Sequence, residues 1–437
     1  MERKRELKHN LSPRVCIIGA GPSGITAAKN LQEEGLSNIT VYEKNNQVGG
    51  NWVYAENNNH SSIYETTHII SSKRWSEFED FPMPADYPDY PSHVQLLTYF
   101  NSYVDYFNLN KYIKFNTNVL RVTQIEQKKW CVVVQDEQGI YQEEYDYLLV
   151  ANGHHWDPFL PIYPGHFAGE LIHSHQYKKA APFQGKRILV IGGGNSACDI
   201  AVETSRVSAS TTISMRRGYH IFPKFIFGKP TDVAVAKIQW IPAWFRQKFI
   251  KVVVRALQGR YAKYQLMNPN CGPLEIHPTI NSELLYFIRH GKIRTSPGIE
   301  RFEGSTVHFV NGTQAEYDTV VFATGYKISF PFFEKEERLN FTNATKVPLY
   351  RKMMHPDFET LYFIGLCQPQ GCIWPLADYQ SKIAARIIAG TLKRPDKLRE
   401  KIDREMNSPH YKFKTHSRHA LEVDYHLFRR ELLHMLK

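Results

Sequence analysis

Long apolar runs are missing from this sequence of 437 residues. No stretch approaches the ~18 consecutive apolar residues that a membrane-spanning helix needs. The chain begins with a charged cluster (Arg3, Lys4, Arg5 and Lys8), whereas a secretory signal would be apolar there. We therefore expect a cytoplasmic protein without a membrane span.

Cysteine is scarce, since the chain holds six cysteines and no C-x-x-C pair. The sequence therefore offers no disulfide framework and none of the usual cysteine-based metal or redox motifs. Cys367 and Cys372 have C-x-x-x-x-C spacing, but they lie late in the chain. We expect buried free thiols in a reducing compartment, and no metal site.

Acidic residues are outnumbered by cationic ones, 43 against 54, which gives a formal net charge of +11. Such a surplus favours nucleic acid, acidic membrane surfaces or anionic small molecules as partners. The cationic residues are spread along the chain, however, and no nucleic-acid-binding module is recognisable, so we expect no nucleic-acid partner. Low-complexity stretches are also absent, and the 42% hydrophobic content suits two or three globular domains.

A glycine-rich turn lies between a short apolar run that ends at Ile18 and a helical pattern that begins at Ile25. The next strand-like run ends in Glu43, so the segment is predicted to be a β-α-β unit. Glycines in such a turn let the backbone approach a pyrophosphate at the helix N-terminus. The pattern predicts a dinucleotide site formed by Gly19, Gly21, Pro22, Ser23, Gly24 and Glu43.

A second copy of this pattern starts with the apolar run Arg187 to Ile191, and its turn carries Gly192, Gly194 and Asn195. In each copy a charged residue stands 19 positions after the last residue of the glycine motif: Glu43 in the first copy and Arg216 in the second.

A carboxylate in that position accepts hydrogen bonds from ribose hydroxyls, whereas a guanidinium pairs with a 2′-phosphate. The first site therefore suits FAD and the second suits NADPH. Arg217 adjoins Arg216 and strengthens this prediction. The alternative is that one or both arginines simply face solvent at a strand end.

Two glycines and a tryptophan follow Glu43 closely, in the stretch Gly49-Gly50-Asn51-Trp52. The glycines permit close backbone approach and the indole offers a flat apolar face, so we expect the flavin to lie against Gly50, Asn51 and Trp52. A loop with a buried tryptophan and no ligand is the alternative.

The order of elements predicts an α/β protein with two Rossmann-like domains, in which the NADPH domain is inserted into a discontinuous FAD domain. We assign residues 1–165 to the first part of the FAD domain and 166–322 to the NADPH domain, with a helical insertion at about 235–270. Residues 323–437 are predicted to complete the FAD domain and to end in helices.

Between the two glycine motifs, the segment from Phe167 to Tyr177 fits F-x-G-x-x-x-H-x-x-x-Y. With Ala323-Thr-Gly-Tyr326, the Gly49 to Trp52 stretch and Asp424-Tyr425, this ordered set resembles the flavin-containing monooxygenase family. The related Baeyer–Villiger monooxygenases carry tryptophan where this chain has Tyr177.

The resemblance implies an FAD- and NADPH-dependent monooxygenase that forms a flavin C4a-hydroperoxide. Such an enzyme inserts one oxygen atom from O2 into a small nucleophilic or carbonyl substrate, commonly by N- or S-oxygenation. It also implies that Ser196 and Asp199 lie near the NADP pyrophosphate and that His173 supports the linker between the domains. It identifies no catalytic residue. The alternatives are an NADPH oxidase or reductase and a Baeyer–Villiger monooxygenase.

The chain departs from the family beside the flavin, where members usually carry an asparagine. Ile70 stands in that position here and cannot form the hydrogen bond. Either Ser71, Ser72 or His68 replaces it, or the protein works mainly as an NADPH-consuming oxidase or reductase.

Apolar residues alternate with Lys and Arg at helical spacing from Lys237 to Gln265. We favour a packed helix whose apolar face covers the substrate tunnel. The alternative is an interfacial helix in peripheral contact with a membrane. A homodimer is an open expectation.

Overall fold

The computed structural model describes residues 12–56, 61–273, 275, 277–333, 336–408 and 420–437. Its strands are β1 (Val15–Ile18), β2 (Ile39–Tyr42), β3 (Ile113–Lys114), β4 (Asn118–Gln124), β5 (Trp130–Asp136), β6 (Gly139–Tyr145), β7 (Tyr147–Val150), β8 (Asp157–Pro158), β9 (Gly165–Phe167), β10 (Glu170–His173), β11 (Arg187–Ile191), β12 (Ser210–Ser214), β13 (Ile221–Phe222), β14 (Phe225–Ile226), β15 (Lys229–Pro230), β16 (Thr279–Ile280), β17 (Ile293–Ser296), β18 (Ile299–Gly304), β19 (Thr306–Phe309), β20 (Gln314–Glu316), β21 (Thr319–Phe322), β22 (Tyr326–Lys327), β23 (Leu361–Phe363), β24 (Gln368–Pro369) and β25 (Glu422–Val423). Its α-helices are α1 (Pro22–Glu33), α2 (Lys73–Ser76), α3 (His93–Tyr106), α4 (Asn195–Thr204), α5 (Thr231–Ala236), α6 (Ala243–Gln258), α7 (Leu284–Arg289), α8 (Trp374–Ile388), α9 (Leu398–Asn407) and α10 (Tyr425–Met435).

The first sheet has the order β23-β7-β1-β2-β3, and its strands are all parallel. All four residues of β1 are buried, because helices and other strands cover the sheet. Helices α1 and α8 are joined by a buried polar network, in which Thr26 Oγ1 and Asn30 Nδ2 both donate to Asp378 Oδ1, at 2.5 and 2.8 Å. A strand near residue 361 thus completes a sheet that begins at residue 15.

The second sheet, β10-β21-β11-β12-β17, is also parallel throughout. Buried residues of β11 and of helix α4 share one apolar core, which includes Ile188, Val190 and Ile200. Two dinucleotide-binding units therefore lie in one chain, with the second one between β7 and β23 of the first sheet. The prediction of two Rossmann-like α/β units, one inserted into the other, is confirmed. The domain bounds at residues 166 and 323 stay a prediction.

Helix α6 packs through a narrow face only. Ile250 and Val254 are buried against Phe222, but the side chains of Trp244 and Val252 are each 65% exposed. We favoured a packed helix whose apolar face is covered. This prediction is confirmed for Ile250 and Val254 and is wrong for most of the other apolar residues of α6. Among the residues described, no helix is both long and apolar enough to cross a membrane.

Candidate cofactor sites

The first glycine turn joins β1 to α1 and is tightly packed at two of its glycines. Gly19 has a φ of +101°, and a Cβ on Gly24 would lie 1.8 Å from the Gly19 carbonyl oxygen. Side chains are thus excluded at Gly19 and Gly24, whereas a Cβ on Gly21 would come no closer than 3.6 Å to Gly50. Gly21 caps α1 without any side-chain hydrogen bond. The first backbone N–H groups of α1 are therefore not capped by a side chain, and this is the arrangement that binds pyrophosphate.

Glu43 is buried beside this turn, directly after β2. Its Oε2 accepts a hydrogen bond from Ala20 N at 2.7 Å, and its Oε1 accepts one from Asn45 N at 2.9 Å. Burial raises the pKa of the Glu43 carboxyl, and the two backbone donors oppose that shift. The carboxylate is thus held in place at the strand end where a ribose would be bound.

A cavity of about 280 Å³ opens at the carboxyl end of the first sheet. The predicted FAD residues that line it are Gly19, Gly21, Pro22, Ser23, Glu43, Gly50, Asn51 and Trp52. Gly24, the other predicted glycine of this turn, packs against the Gly19 carbonyl group. Asn51 Oδ1 accepts hydrogen bonds from Ser62 N at 2.8 Å and Ser62 Oγ at 2.7 Å, so contacts within the protein hold this side chain in place.

Sequence reasoning missed several walls of this cavity. Trp374, at the start of α8, packs edge-on against Trp52 with ring centroids 5.6 Å apart. His154 also lines the cavity, and its Nε2 lies 3.0 Å from Gln368 Oε1. Burial lowers the pKa of His154, so the imidazole is neutral. Its position just after β7, among the strand ends where ligands bind in parallel sheets, was the available signal.

The departure from the family pattern lies outside this cavity. Ile70 is half-buried, and neither Ile70 nor Ser71 is among the described residues that line it. Ser71 Oγ lies 2.9 Å from Ser76 Oγ, and His68 Nδ1 lies 2.9 Å from the Thr66 carbonyl oxygen. Ser71 and His68, two of the expected replacements for the asparagine, are thus engaged within the protein.

The second glycine turn repeats the construction of the first. Gly192 has a φ of +139°, and a Cβ there would lie 2.4 Å from the Ala323 carbonyl oxygen. Gly194 caps α4 without a side-chain hydrogen bond. Asn195 Oδ1 accepts a hydrogen bond from Ile280 N at 2.7 Å, and Ser196 is half-buried in the first turn of the helix. This N-terminus suits a second pyrophosphate.

The two arginines differ in their surroundings. Arg216 is exposed, two residues beyond the end of β12. Arg217 is half-buried, with its guanidinium carbon 5.3 Å from the centre of the Tyr219 ring. Its Nε is buried and has no hydrogen-bond partner among the described residues. An orphaned guanidinium N–H beside an exposed second arginine fits a phosphate ligand.

Asp199 lies one turn into α4 and is engaged by the protein itself. Its Oδ2 accepts a hydrogen bond from the Tyr64 hydroxyl at 2.7 Å, and its Oδ1 accepts one from Asn281 Nδ2 at 2.6 Å. Both oxygens therefore have hydrogen-bond partners within the protein. The placement of Asp199 at the NADP pyrophosphate stays a prediction.

His173 ends β10, at the junction between the two units. It is 2% exposed, and its Nδ1 accepts a hydrogen bond from His175 N at 3.1 Å. The Tyr326 ring lies 5.2 Å from the His173 ring and 5.8 Å from the His155 ring, so it bridges the linker and the wall of the flavin cavity. Burial lowers the pKa of His173 to about 4, and the imidazole stays neutral.

Comparison with known proteins agrees with this geometry. The family model described as flavin-binding monooxygenase-like matches residues 12–437. This chain belongs to the flavin-containing monooxygenase family. It is similar to flavin-containing monooxygenase 5 of Rattus norvegicus, at 34% identity over 94% of this chain and 80% of that protein. It is also similar to dimethylaniline monooxygenase [N-oxide-forming] 2 of the same species, at 35% identity over 87% of this chain and 74% of that protein.

Solved structures share the fold of this chain. The S-allyl-L-cysteine S-oxygenase of Allium sativum superimposes with a TM-score of 0.72 at 21% identity, over 97% of this chain and 89% of that one. Cyclohexanone monooxygenase of Rhodococcus sp. Phi1 bound to NADP+ also gives 0.72, at 16% identity over 97% of both chains. The predicted enzyme class and cofactors are confirmed: this is an FAD- and NADPH-dependent flavin monooxygenase, which uses O2 and a small-molecule substrate.

Proposed function

We propose that this monooxygenase oxygenates small soft nucleophiles, at nitrogen or at sulfur. The supporting observation is the 35% identity to a rat enzyme named for N-oxide formation. The fold shared with a garlic S-oxygenase points in the same direction. Baeyer–Villiger oxygenation is the second candidate, because cyclohexanone monooxygenase has the same fold.

The positions of the cysteines argue against one alternative, an NADPH-dependent reductase that works through a pair of cysteine thiols. None of the residues that line the cavity is a cysteine. Cys367 and Cys372 are free and buried, and burial raises the pKa of Cys367 to about 12 and also raises the pKa of Cys372. Protonated, buried thiols are poor nucleophiles for thiol–disulfide exchange.

Each part of the site has a role in this chemistry. FAD supplies oxygen activation when bound, with NADPH as the source of hydride. The glycine turns and the uncapped ends of α1 and α4 would hold the two pyrophosphates. Glu43 would hold the FAD ribose, and Arg216 and Arg217 the 2′-phosphate. Trp52 and Trp374 keep water away from one wall of the cavity.

Product analysis tests the proposal. The purified FAD-loaded protein is incubated with NADPH, O2 and one of three probes: N,N-dimethylaniline, S-allyl-L-cysteine or cyclohexanone. Products and hydrogen peroxide are counted per NADPH oxidised. We expect an N-oxide or a sulfoxide. A lactone as the main product would support the Baeyer–Villiger candidate, and hydrogen peroxide alone would contradict both.

The exposed side of α6 supports a peripheral contact with an anionic membrane surface. Trp244 and Phe249 of this helix are 65% and 46% exposed, and Trp240, three residues before the helix begins, is 82% exposed. Lys248, Lys251 and Arg255 are exposed on the same helix. Between Asp232 and Glu275 the sequence carries seven Lys or Arg residues and no acid. Exposed aromatic rings interleaved with cations are typical of helices that lie in the lipid headgroup region.

Vesicle sedimentation tests this contact. We expect binding to vesicles that contain phosphatidylserine, weakened by salt and by the double change Trp240→Ser and Trp244→Ser. The matched control is Ile162→Ser, which removes an apolar side chain that is 98% exposed elsewhere. Equal binding by the double variant and the control would contradict the proposal. Cell fractionation tests the predicted cytoplasmic location, and sedimentation velocity tests the predicted homodimer.

A further inference from the structure

The segment from Tyr64 to Ser72, which carries Ile70, is tied to helix α4 of the inserted unit. The Tyr64 hydroxyl donates to Asp199 at 2.7 Å, and Thr66 Oγ1 donates to Glu203 Oε1. Asp199 and Glu203 stand four residues apart on α4, so both carboxylates lie on the same side of the helix. The start of the segment is therefore held by two charge-assisted hydrogen bonds from one helix face.

The other end of the segment is held by the same unit. Ser72 N donates to Asp232 Oδ2 at 2.6 Å, and Asp232 lies in α5. Close by, the Tyr90 hydroxyl donates to the Lys224 carbonyl oxygen at 2.5 Å. Ile70 lies between these attachments. The middle of the segment is also held by the flavin half, because Ile69 N donates to the Pro91 carbonyl oxygen and His93 N donates to the Thr67 carbonyl oxygen, both at 3.0 Å. Contacts from both units therefore place Ile70.

Helix α4 connects this attachment to the second nucleotide site. Its uncapped N-terminus follows Gly194, and Asp199 comes one turn later. The helix of ten residues spans about 15 Å and acts as a rigid element. A ligand that holds the N-terminus of α4 also fixes the carboxylates that bind Tyr64 and Thr66.

The two carboxylates are poor candidates for nucleotide contacts. Both oxygens of Asp199 are occupied, by Tyr64 and by Asn281 at 2.6 Å. Glu203 Oε2 accepts a hydrogen bond from the Tyr177 hydroxyl at 2.8 Å, and its Oε1 accepts the one from Thr66. A carboxylate beside a pyrophosphate would repel it. Their hydrogen bonds instead join α4 to Tyr177 and to the segment from Tyr64 to Ser72.

We propose that Asp199 and Glu203 are positioning residues, through which a nucleotide bound at the N-terminus of α4 fixes the segment Tyr64–Ser72, which carries Ile70. The inference rests on the proposed oxygenase function, because a fixed segment would exclude water while the oxygenating species awaits its substrate. Loosening it opens the reaction to water and releases hydrogen peroxide.

Hydrogen exchange measured by mass spectrometry tests the coupling. The FAD-loaded protein is compared with and without NADP+, and exchange is followed in peptides that cover residues 64–72. We expect NADP+ to slow exchange there by about tenfold, the effect of one charge-assisted hydrogen bond. No change on NADP+ addition in the unmodified protein would overturn the proposal.

Tyrosine-to-phenylalanine variants locate the effect. Tyr64→Phe removes the bond to Asp199, and we expect the NADP+ effect to fall to less than about threefold. Tyr177→Phe is the matched control, because it removes a bond to a carboxylate of the same helix from a residue outside the segment. We expect it to retain the full NADP+ effect. Equal losses in both variants, or no loss in Tyr64→Phe, would refute the role of Asp199.

A turnover readout separates positioning from stability. In Tyr64→Phe we expect the hydrogen peroxide released per NADPH to rise about threefold or more, while the KM for NADPH changes less than about twofold. A rise in KM without more hydrogen peroxide would make Asp199 a nucleotide contact and would contradict the proposal. If the unmodified enzyme forms no oxygenated product, the proposed function fails, but the exchange experiment still decides the coupling.

Discussion

The two predicted dinucleotide sites share the same arrangement of strand, glycine turn and helix, but they differ in the charge and burial of the residue that follows the next strand. Each has a parallel strand, a glycine turn and a helix whose N-terminus lacks a side-chain cap. In the first site, Glu43 follows the end of the next strand and is 4% exposed. In the second site, Arg216 lies two residues beyond the end of the next strand and is exposed. The first also opens into a cavity with walls from distant parts of the chain.

This difference matches the duties of the two cofactors. FAD stays bound through many turnovers, so an enclosed site with a fixed Glu43 suits it. NADPH enters and leaves in each cycle, and exposed cations attract an anionic ligand without enclosing it. The predicted site assignment therefore puts the buried Glu43 in the half that retains its cofactor and the exposed Arg216 in the half that exchanges it.

The largest expected effect comes from filling the first glycine turn. Gly24→Ala places a methyl group 1.8 Å from the Gly19 carbonyl oxygen, so we expect a loss of more than about 4 kcal/mol and no folded holoprotein. Gly21→Ala is the control, because its Cβ comes no closer than 3.6 Å to Gly50. It should fold but bind less FAD. Thermal unfolding and flavin content measure both, and equal stability of the two variants would contradict this account.

Acid should destabilise the protein through His173, at the entrance to the second unit. Its pKa is about 4 in the folded protein against an ordinary 6.5, so the unfolded chain binds the proton first. Stability should therefore fall as pH drops from 6.5 to 4, by roughly 3 kcal/mol for this one group. Denaturant unfolding against pH should show a flatter profile in His173→Gln. The exposed His166→Gln control should keep the original profile, and a flatter one there would argue against His173.

Removing the buried carboxylate should affect FAD retention. In Glu43→Gln we expect FAD affinity to fall about tenfold to a hundredfold, because a charge-assisted hydrogen bond to the ribose is lost. Flavin released on gel filtration and titration of the apoprotein with FAD measure this. Glu126→Gln changes an exposed acid of the same unit and should leave affinity unaltered. Full FAD occupancy in Glu43→Gln would exclude the ribose contact.

A smaller and more selective change is expected at the exposed site. Arg216→Ala should raise the KM for NADPH about tenfold and leave that for NADH within about twofold, since only NADPH carries the 2′-phosphate. Steady-state kinetics with both nucleotides measure the ratio. Arg301→Ala, which removes an arginine of the inserted unit whose side chain is 43% exposed, is the control. Equal effects on both nucleotides would show that Arg216 does not contact the phosphate.

Both β-α-β frames were predictable from the sequence, because their spacing of glycines, apolar runs and charged residues is local. Trp374 and His154 were missed as cavity walls, since they lie far from Trp52 in the chain and reach the same cavity only in the folded protein. Asp199 was placed with the nucleotide from a family pattern, yet its two oxygens bind Tyr64 and Asn281. No local signal reports a partner that is 135 residues away in sequence.

The exposed face of α6 is another feature that depends on contacts between distant parts of the chain. Its alternation of apolar and cationic residues is visible in the sequence and predicts a helix. Whether its apolar side chains are covered depends on which residues pack against the helix. Ile250 and Val254 are the two described side chains of α6 that are buried in the apolar cluster with Phe222. An identical pattern suits a packed helix and a membrane-facing one.

The sequence alone determined that this chain has two nucleotide-binding frames with opposite charges in equivalent positions, because short-range geometry requires those residues at those spacings. The tertiary structure decided that Glu43 is buried and Arg216 exposed, which residues close the flavin cavity, and that helix α4 holds the segment around Ile70. These properties depend on which distant segments come together, and burial and pairing are settled only when the sheets and helices pack.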